Sequence, residues 1–150
     1  MKVLLLLSGG TDSRRAMDAL LAEGHRVFGL CFSGRQKGEV VGACKAARTR
    51  GIPLHVREMP WLDETTWNVL ALLLRDWAFA FAAFRLARRL RVHAIATGTT
   101  RSDLNHWQVR LLFVLFWPAA KLLCRLAKVR VMFPVWTERA ETCMTGVSDV

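Results

Sequence analysis

The sequence has no Cys-x-x-Cys pair and no cysteine and histidine at ligand spacing. Its four cysteines stand at positions 31, 44, 124 and 143. A zinc site and a disulfide framework are therefore unsupported, and buried reduced thiols are the expectation. Nor is there a clean uncharged span of about 20 apolar residues. The two most apolar windows, "WNVLALLLRDWAFAFAAF" and "VRLLFVLFWPAAKLL", are interrupted by Arg75-Asp76 and split by Pro118 and Lys121. They read as buried helices of an α/β core, not as membrane spans. In the opening "MKVLLLLSGG" the apolar run is too short for a secretory signal and the glycines do not look like a cleavage site, so the expected location is the cytoplasm. Acidic residues are scarce: 12 Asp+Glu face 22 Lys+Arg, a formal charge of +10. Such a surface attracts phosphate-bearing partners, whether nucleotide, RNA or anionic lipid. Tyrosine is absent, and the six tryptophans are expected to pack the core or a self-association surface. No repeat, linker or low-complexity segment appears, and 150 residues suit one domain, 1–150.

What is present alternates strand with helix. Residues 2–7 form a continuous apolar run, and Ala16, Met17, Leu20 and Leu21 follow at helical spacing from Ser13 to Glu23. Gly24 stops that helix. "HRVFGLCF" reads as a second strand, "QKGEVVGACKAARTRG" as a second helix stopped by Gly51, and "IPLHVREM" as a third strand. A long helix is expected from Asp63 to Arg89, then a strand in "VHAIATG", a helix over 106–127 kinked near Pro118, and a fifth strand in "VRVMF". "PVWTERAETCM" is expected to start another helix. The prediction is a three-layer α/β/α fold with a five-stranded, mainly parallel sheet and right-handed crossovers. Ligands of such sheets bind beyond the carboxyl ends of the strands, where the strand order reverses. The loops "SGGTDS", "CFSGRQ" and "GTTRSD" all lie at those ends.

The first of them has the chemistry of an anion cradle. Gly9 and Gly10 free the backbone to turn N–H groups toward one point, and the following helix adds the positive end of its dipole. The hydroxyls of Ser8, Thr11 and Ser13 are candidate phosphate donors, while Asp12 either holds a hydrated magnesium ion or caps the helix. A Walker loop and a Rossmann turn both need glycine spacings that are absent.

Ser8-Gly9-Gly10-Thr11-Asp12-Ser13 resembles the SGGxDS signature of the PP-loop ATP pyrophosphatases, the adenine nucleotide α-hydrolase-like superfamily. The resemblance continues over roughly two-thirds of the chain. "HRVFGLCFSGRQKGEVVGACKAARTRGIPLHV" and "RDWAFAFAAFRLARRLRVHAIATGTTRSD" are similar to segments of the 7-cyano-7-deazaguanine synthase branch. Two features depart from that branch: Asp76 stands where its "RN" pair has asparagine, and its four zinc-binding cysteines are missing. Phe133-Pro134-Val135-Trp136 is similar to a "PLWG" segment of the diphthamide-type ammonia ligases.

The resemblance implies ATP and Mg2+ as cofactors. A substrate carboxyl or amide oxygen would attack the α-phosphate, and ammonia or sulfur would then displace AMP. It puts Cys31, Phe32 and Ser33 near the adenine and ribose, although a Cys-Phe pair at a strand end is equally plain core. It puts Gly98, Thr99, Arg101 and Asp103 around the α-phosphate or a metal ion, although loop polarity alone would also explain the last three, with Asp12 and Asp103 as metal ligands and Asp12, Ser13 and Arg75 as catalytic residues. Arg75, inside an apolar helix, needs an acidic or phosphate partner, and its alternative is an ion pair with Asp76. Two other functions stay open: a tRNA thiolase using Cys143 or Cys31, and a non-catalytic ATP or AMP sensor. The second substrate is a small molecule or tRNA, and no membrane is involved. Cations at 85, 88, 89, 91, 125, 128 and 130 form either a tRNA face or solvated helix ends. The bulky Trp107, Phe113, Phe116 and Trp117 predict a homodimer through 106–127, the alternative being a helix wholly buried against its own sheet.

Overall fold

The computed structural model describes residues 1–34, 37–59, 69–98, 121–122, 124–125 and 128–134. Eight elements follow in order: β1 (Lys2–Leu6), α1 (Thr11–Ala22), β2 (Arg26–Ser33), α2 (Lys37–Thr49), β3 (Leu54–Glu58), α3 (Val69–Leu90), β4 (Ala94–Thr97) and β5 (Arg130–Met132). All neighbouring strands pair in parallel, in the order β3-β2-β1-β4-β5. From β1 the chain winds outward through β2 to β3, then crosses back to β4 on the other side of β1. The reversal point is thus the junction of β1 and β4, and the strand ends there splay helices apart.

The alternation of side chains along β1 divides the core between the two faces of the sheet. Val3, Leu5 and Leu7 meet Ala16, Met17 and Leu20 of α1 and Ala43, Ala46 and Ala47 of α2. Leu4, with Leu30 of β2, meets Ala83 and Ala87 of α3. Alanines on the inner faces of α2 and α3 let those helices lie close on the sheet, and the strands supply the bulk. Burial on both faces explains why β1 reads as a continuous apolar run, each fully buried leucine contributing about 1.5–3 kcal/mol. An ion pair ties the end of α2 to α1, the Arg50 guanidinium donating to both carboxylate oxygens of Asp18.

Five strands were expected and five occur among the described residues; four are shorter than expected by one to three residues, and β2 keeps its length but is shifted on by one. The first helix begins at Thr11, two residues earlier than its apolar spacing indicated, because the backbone of Gly10 in extended conformation serves as the cap without any side-chain bond. The expected start of the long helix at 63, the helix over 106–127 with its kink at Pro118 apart from 121–122 and 124–125, and the helix after 134 lie outside the described residues. Among the described residues no helix is long and apolar enough to cross a membrane.

Candidate functional site

A cleft of about 440 Å³ opens at the carboxyl ends of β1, β2 and β4. Its lining brings together Ser8, Gly10, Thr11, Asp12, Ser13, Phe32, Ser33, Arg75 and Gly98 from the residues singled out in the sequence. Gly9 and Cys31 lie apart from it. Thr99, Arg101 and Asp103 are outside the described residues.

The loop after β1 is closed on itself by hydroxyls. The Gly10 N–H donates to Ser8 Oγ at 3.4 Å, Ser8 Oγ donates to Ser13 Oγ at 3.3 Å, and Ser13 Oγ donates to the Gly10 carbonyl at 3.0 Å. Ser13 is 5% exposed, so this ring satisfies a buried hydroxyl. Two of the three candidate phosphate donors are therefore committed to holding the loop, and the Thr11 side chain, exposed at the cleft, is the one left over. The first intrahelical bond runs from the Arg14 N–H to the Gly10 carbonyl. The N–H groups of Thr11, Asp12 and Ser13 meet no acceptor among the described residues, and they point the positive end of α1 into the cleft. Asp12 lies in the first turn, not at the cap. Its capping reading is thereby set aside.

Two glycines make this approach possible. Gly9 has φ of +79°, and a Cβ there would stand 2.5 Å from the Glu39 carbonyl oxygen and 2.8 Å from the Ala43 nitrogen. It is a packing residue against α2, which explains its place in the motif without a place in the lining. A Cβ at Gly98 would stand 2.7 Å from the Ser13 nitrogen and 2.8 Å from its Cα. The end of β4 thus lies directly against the first turn of α1.

The opposite wall comes from β2 and α3. Phe32 and Phe79 stack with ring centroids 4.2 Å apart and planes 16° apart. The Arg75 guanidinium lies 5.8 Å from the Phe79 ring centre, and its Nε donates to Asp76 Oδ1 at 3.2 Å. The pair anticipated as the alternative for Arg75 forms, and the side chain lines the cleft as well. Burial pushes the Asp76 carboxyl above its ordinary range, outweighing the pull of Arg75. Cys31 faces the other side of the sheet, 1% exposed among the residues under α1 and α2. Its thiol is pushed up to about 11, mainly by burial and further by Glu39 and Cys44. Such a thiol is inert at neutral pH.

Sequence reasoning missed Phe79, Glu39, Met59 and Thr97, all of which line the cleft. Phe79 is four residues beyond Arg75 and so on the same helical face, a signal that was legible. Among the described residues no group of three or more His, Cys, Asp or Glu side chains is placed to hold a metal ion.

No protein-family model matches the chain. Relatives of known function do. The chain is 32% identical to the tRNA-specific 2-thiouridylase MnmA of Syntrophotalea carbinolica over 133 residues, covering 73% of this chain and 38% of that protein. It is 37% identical to the 7-cyano-7-deazaguanine synthase of Desulforamulus reducens over 73 residues, covering 47% and 32%. The chain belongs to the PP-loop ATP pyrophosphatase superfamily. Solved structures agree on its fold. The U34-tRNA thiolase NcsA of Methanococcus maripaludis superposes with a TM-score of 0.66 at 19% identity, over 96% of this chain and 54% of that one. A 4-thiouridine synthetase solved with RNA and bound ATP superposes with a TM-score of 0.64 at 18% identity, over 96% and 40%. The chain spans about a third of the length of the curated relatives it matches.

Proposed function

We propose that the cleft binds ATP as its magnesium complex and that the protein transfers AMP from it to a carboxyl or amide oxygen of a second substrate, in deazapurine or tRNA modification. The observation that carries this reading is the set of N–H groups at Thr11, Asp12 and Ser13, which meet no acceptor among the described residues and open α1 at the cleft, at the reversal point of the sheet. Those groups and the helix dipole suit the β- and γ-phosphates. With the pyrophosphate held there, the substrate oxygen forms a bond to the α-phosphorus as the bond to the bridging oxygen breaks. Pyrophosphate leaves with the electron pair. A nitrogen or sulfur nucleophile then attacks the activated carbon, and AMP departs.

Side chains of the lining support the remaining roles. Phe32 and Ser33 suit the adenine and ribose end, and the Nη groups of Arg75, which have no partner among the described residues, suit the α-phosphate. Asp12 stands in the lining with the Arg75 guanidinium, itself paired with Asp76, and together with water and phosphate oxygens it fits magnesium, which takes few protein ligands. Magnesium supplies neutralisation of phosphate charge when bound. Cys31, buried and facing away, supports no sulfur relay; Cys143, the other thiol named for the thiolase reading, lies outside the described residues. A cytoplasmic location and a homodimer through 106–127 belong to the same reading; sedimentation of the wild type and of Phe116→Glu tests the dimer.

Incubation with Mg-ATP and a panel of carboxyl- and amide-bearing acceptors, tRNA among them, is expected to release AMP and pyrophosphate in equal amounts. Formation of ADP would contradict the chemistry. Tight ATP binding with no AMP from any acceptor would assign the cleft to nucleotide sensing instead.

A further inference from the structure

We propose that the amino-terminal edge of the sheet, one strand length away from the ATP cleft, is a docking surface for the sugar–phosphate backbone of RNA. Three of the strands begin there with a cation. Lys2 of β1 pairs with Arg26 of β2, and Arg130 opens β5 one position further in, opposite Ala94 of β4 and so level with Val3 of β1. At about 4.8 Å between strands, Arg26, Lys2 and Arg130 span roughly 14 Å. The helix ends above them add Arg88, Arg89, Arg91, Arg125 and Lys128, all exposed. None of these five, nor Arg130, makes an ion pair with any described residue.

The second observation is how the helices end. Four times the chain leaves a helix with the same pair of bonds, one back three residues and the next back five: Gly24 to Leu21 with His25 to Leu20, Gly51 to Arg48 with Ile52 to Ala47, Arg91 to Arg88 with Val92 to Ala87, and Lys128 to Arg125 with Val129 to Cys124. The motif needs a left-handed residue, for which glycine is the unstrained choice. Gly24 and Gly51 fill it at φ of +73° and +65°. Arg91 and Lys128 fill it at +52° and +56°. Two long cations thus occupy strained positions where the same chain uses glycine elsewhere, and both lie on the basic edge. Backbone strain retained at one place and avoided at its equivalents points to a use for the side chains. A row of mostly arginine, each with a planar fork of donors, matches successive phosphates. The exposed aromatics among the described residues, Trp77 and Phe81, lie on α3 about two turns or more before Arg88, away from the row, which disfavours a membrane surface.

The choice of RNA over DNA rests on the proposed role in tRNA modification; the anionic backbone does not. The test omits ATP, so failure of the adenylation reading leaves it intact. Labelled unfractionated tRNA is titrated with the full chain by fluorescence anisotropy across a range of salt concentrations, beside duplex DNA and phosphatidylglycerol vesicles. The triple variant Arg88→Gln, Arg91→Gly, Lys128→Gly is expected to bind tRNA about tenfold or more weakly and to flatten the slope of log K against log salt by about 2 to 3. Its melting temperature should stay at or above that of the wild type, because glycine relieves the strained caps. Unchanged tRNA affinity and slope in a folded triple variant overturns the proposal. So does tighter binding of the wild type to duplex DNA or to the vesicles than to tRNA.

Discussion

Replacing Gly98 by alanine isolates the contact that builds the phosphate end of the cleft. The new Cβ would stand 2.7 Å from the Ser13 nitrogen, 2.8 Å from its Cα and 2.9 Å from the Asp12 carbonyl carbon. All three are backbone atoms, so no rotamer change relieves the clash. Reaching the 3.4 Å of ordinary contact requires the end of β4 and the first turn of α1 to separate by about 0.7 Å. Overpacking of this kind costs about 1–3 kcal/mol. For a chain of this size that lowers the melting temperature by about 2–12 °C. The same displacement moves the N–H groups of Asp12 and Ser13 relative to the rest of the cleft. Loosening one charge-assisted hydrogen bond, worth about 1.5–3 kcal/mol, weakens Mg-ATP binding on the order of tenfold. Gly24→Ala supplies the comparison: φ there is +73° and nothing lies within 4 Å of the added methyl. It strains the backbone by about 1 kcal/mol, far from the cleft. Calorimetric titration with Mg-ATP and thermal melts of both variants separate the two effects. If Gly98→Ala binds ATP as tightly as Gly24→Ala, the approach of β4 to α1 does not shape the phosphate site, and the geometric reasoning fails.

Other outcomes follow from the same geometry. Iodoacetamide at pH 7.5, followed by peptide mapping, should label the exposed Cys44 and spare Cys31, whose thiol is buried and pushed up to about 11; comparable rates would contradict the inert reading. Asp76→Asn should hold or raise the melting temperature at pH 7. A carboxyl raised in the folded state adds stability below its unfolded value, near 3.8, and loses it as pH rises through the folded value. The ionised Asp76 is therefore the unfavourable form at neutral pH, and the advantage of Asn should shrink as melts are taken toward pH 4. A marked loss of stability in Asp76→Asn at pH 7 would show that its bond to Arg75 outweighs its burial. Asp12→Ala should lower AMP formation by tenfold or more while costing about 0.3–1 kcal/mol of stability, the worth of an acid in a first helical turn. Equal losses in both would make Asp12 structural.

The strand and helix order was legible because burial on both faces of a parallel sheet writes itself as short apolar runs between helical periods, and "SGGTDS" marked the loop after β1. What the sequence did not expose was the division of labour inside that motif. Gly9 and Gly10 read alike, yet only Gly9 is left-handed, and what it needs is room for α2; the helix answers with Gly42, whose Cα region faces Gly9 and whose importance depends on two segments meeting. Ser8 and Ser13 read as phosphate donors and turn out to bond each other, because a buried hydroxyl beside a carbonyl finds that partner first. Cys31 and Phe32 read as one pair at a strand end. Strand parity separates them, since alternate residues of β2 face opposite layers, and Leu30 with Phe32 reach the cleft while Cys31 cannot.

The two ends of the sheet attract anions by different means, and that difference sets how they can communicate. The cleft presents backbone N–H groups and a helix end. The opposite edge relies on long side chains in solvent. At physiological salt the screening length is about 8 Å, and β1 alone spans about 16 Å between the two ends. Charge on the edge is therefore largely screened from the cleft. Coupling between RNA and ATP must instead run through a packed element that reaches both, and among the described residues α3 does so, with Arg75 at the cleft and Arg88 to Arg91 at the edge. A helix held along its length by Ala83 and Ala87 against Leu4 and Leu30 has little freedom to shift. The expected consequence is near-independent binding: tRNA should change the affinity for Mg-ATP by less than about twofold at physiological salt. A larger coupling that survives in high salt would mean that α3 moves as a unit between two positions, and one that disappears in high salt would mean that the edge charges do reach the cleft.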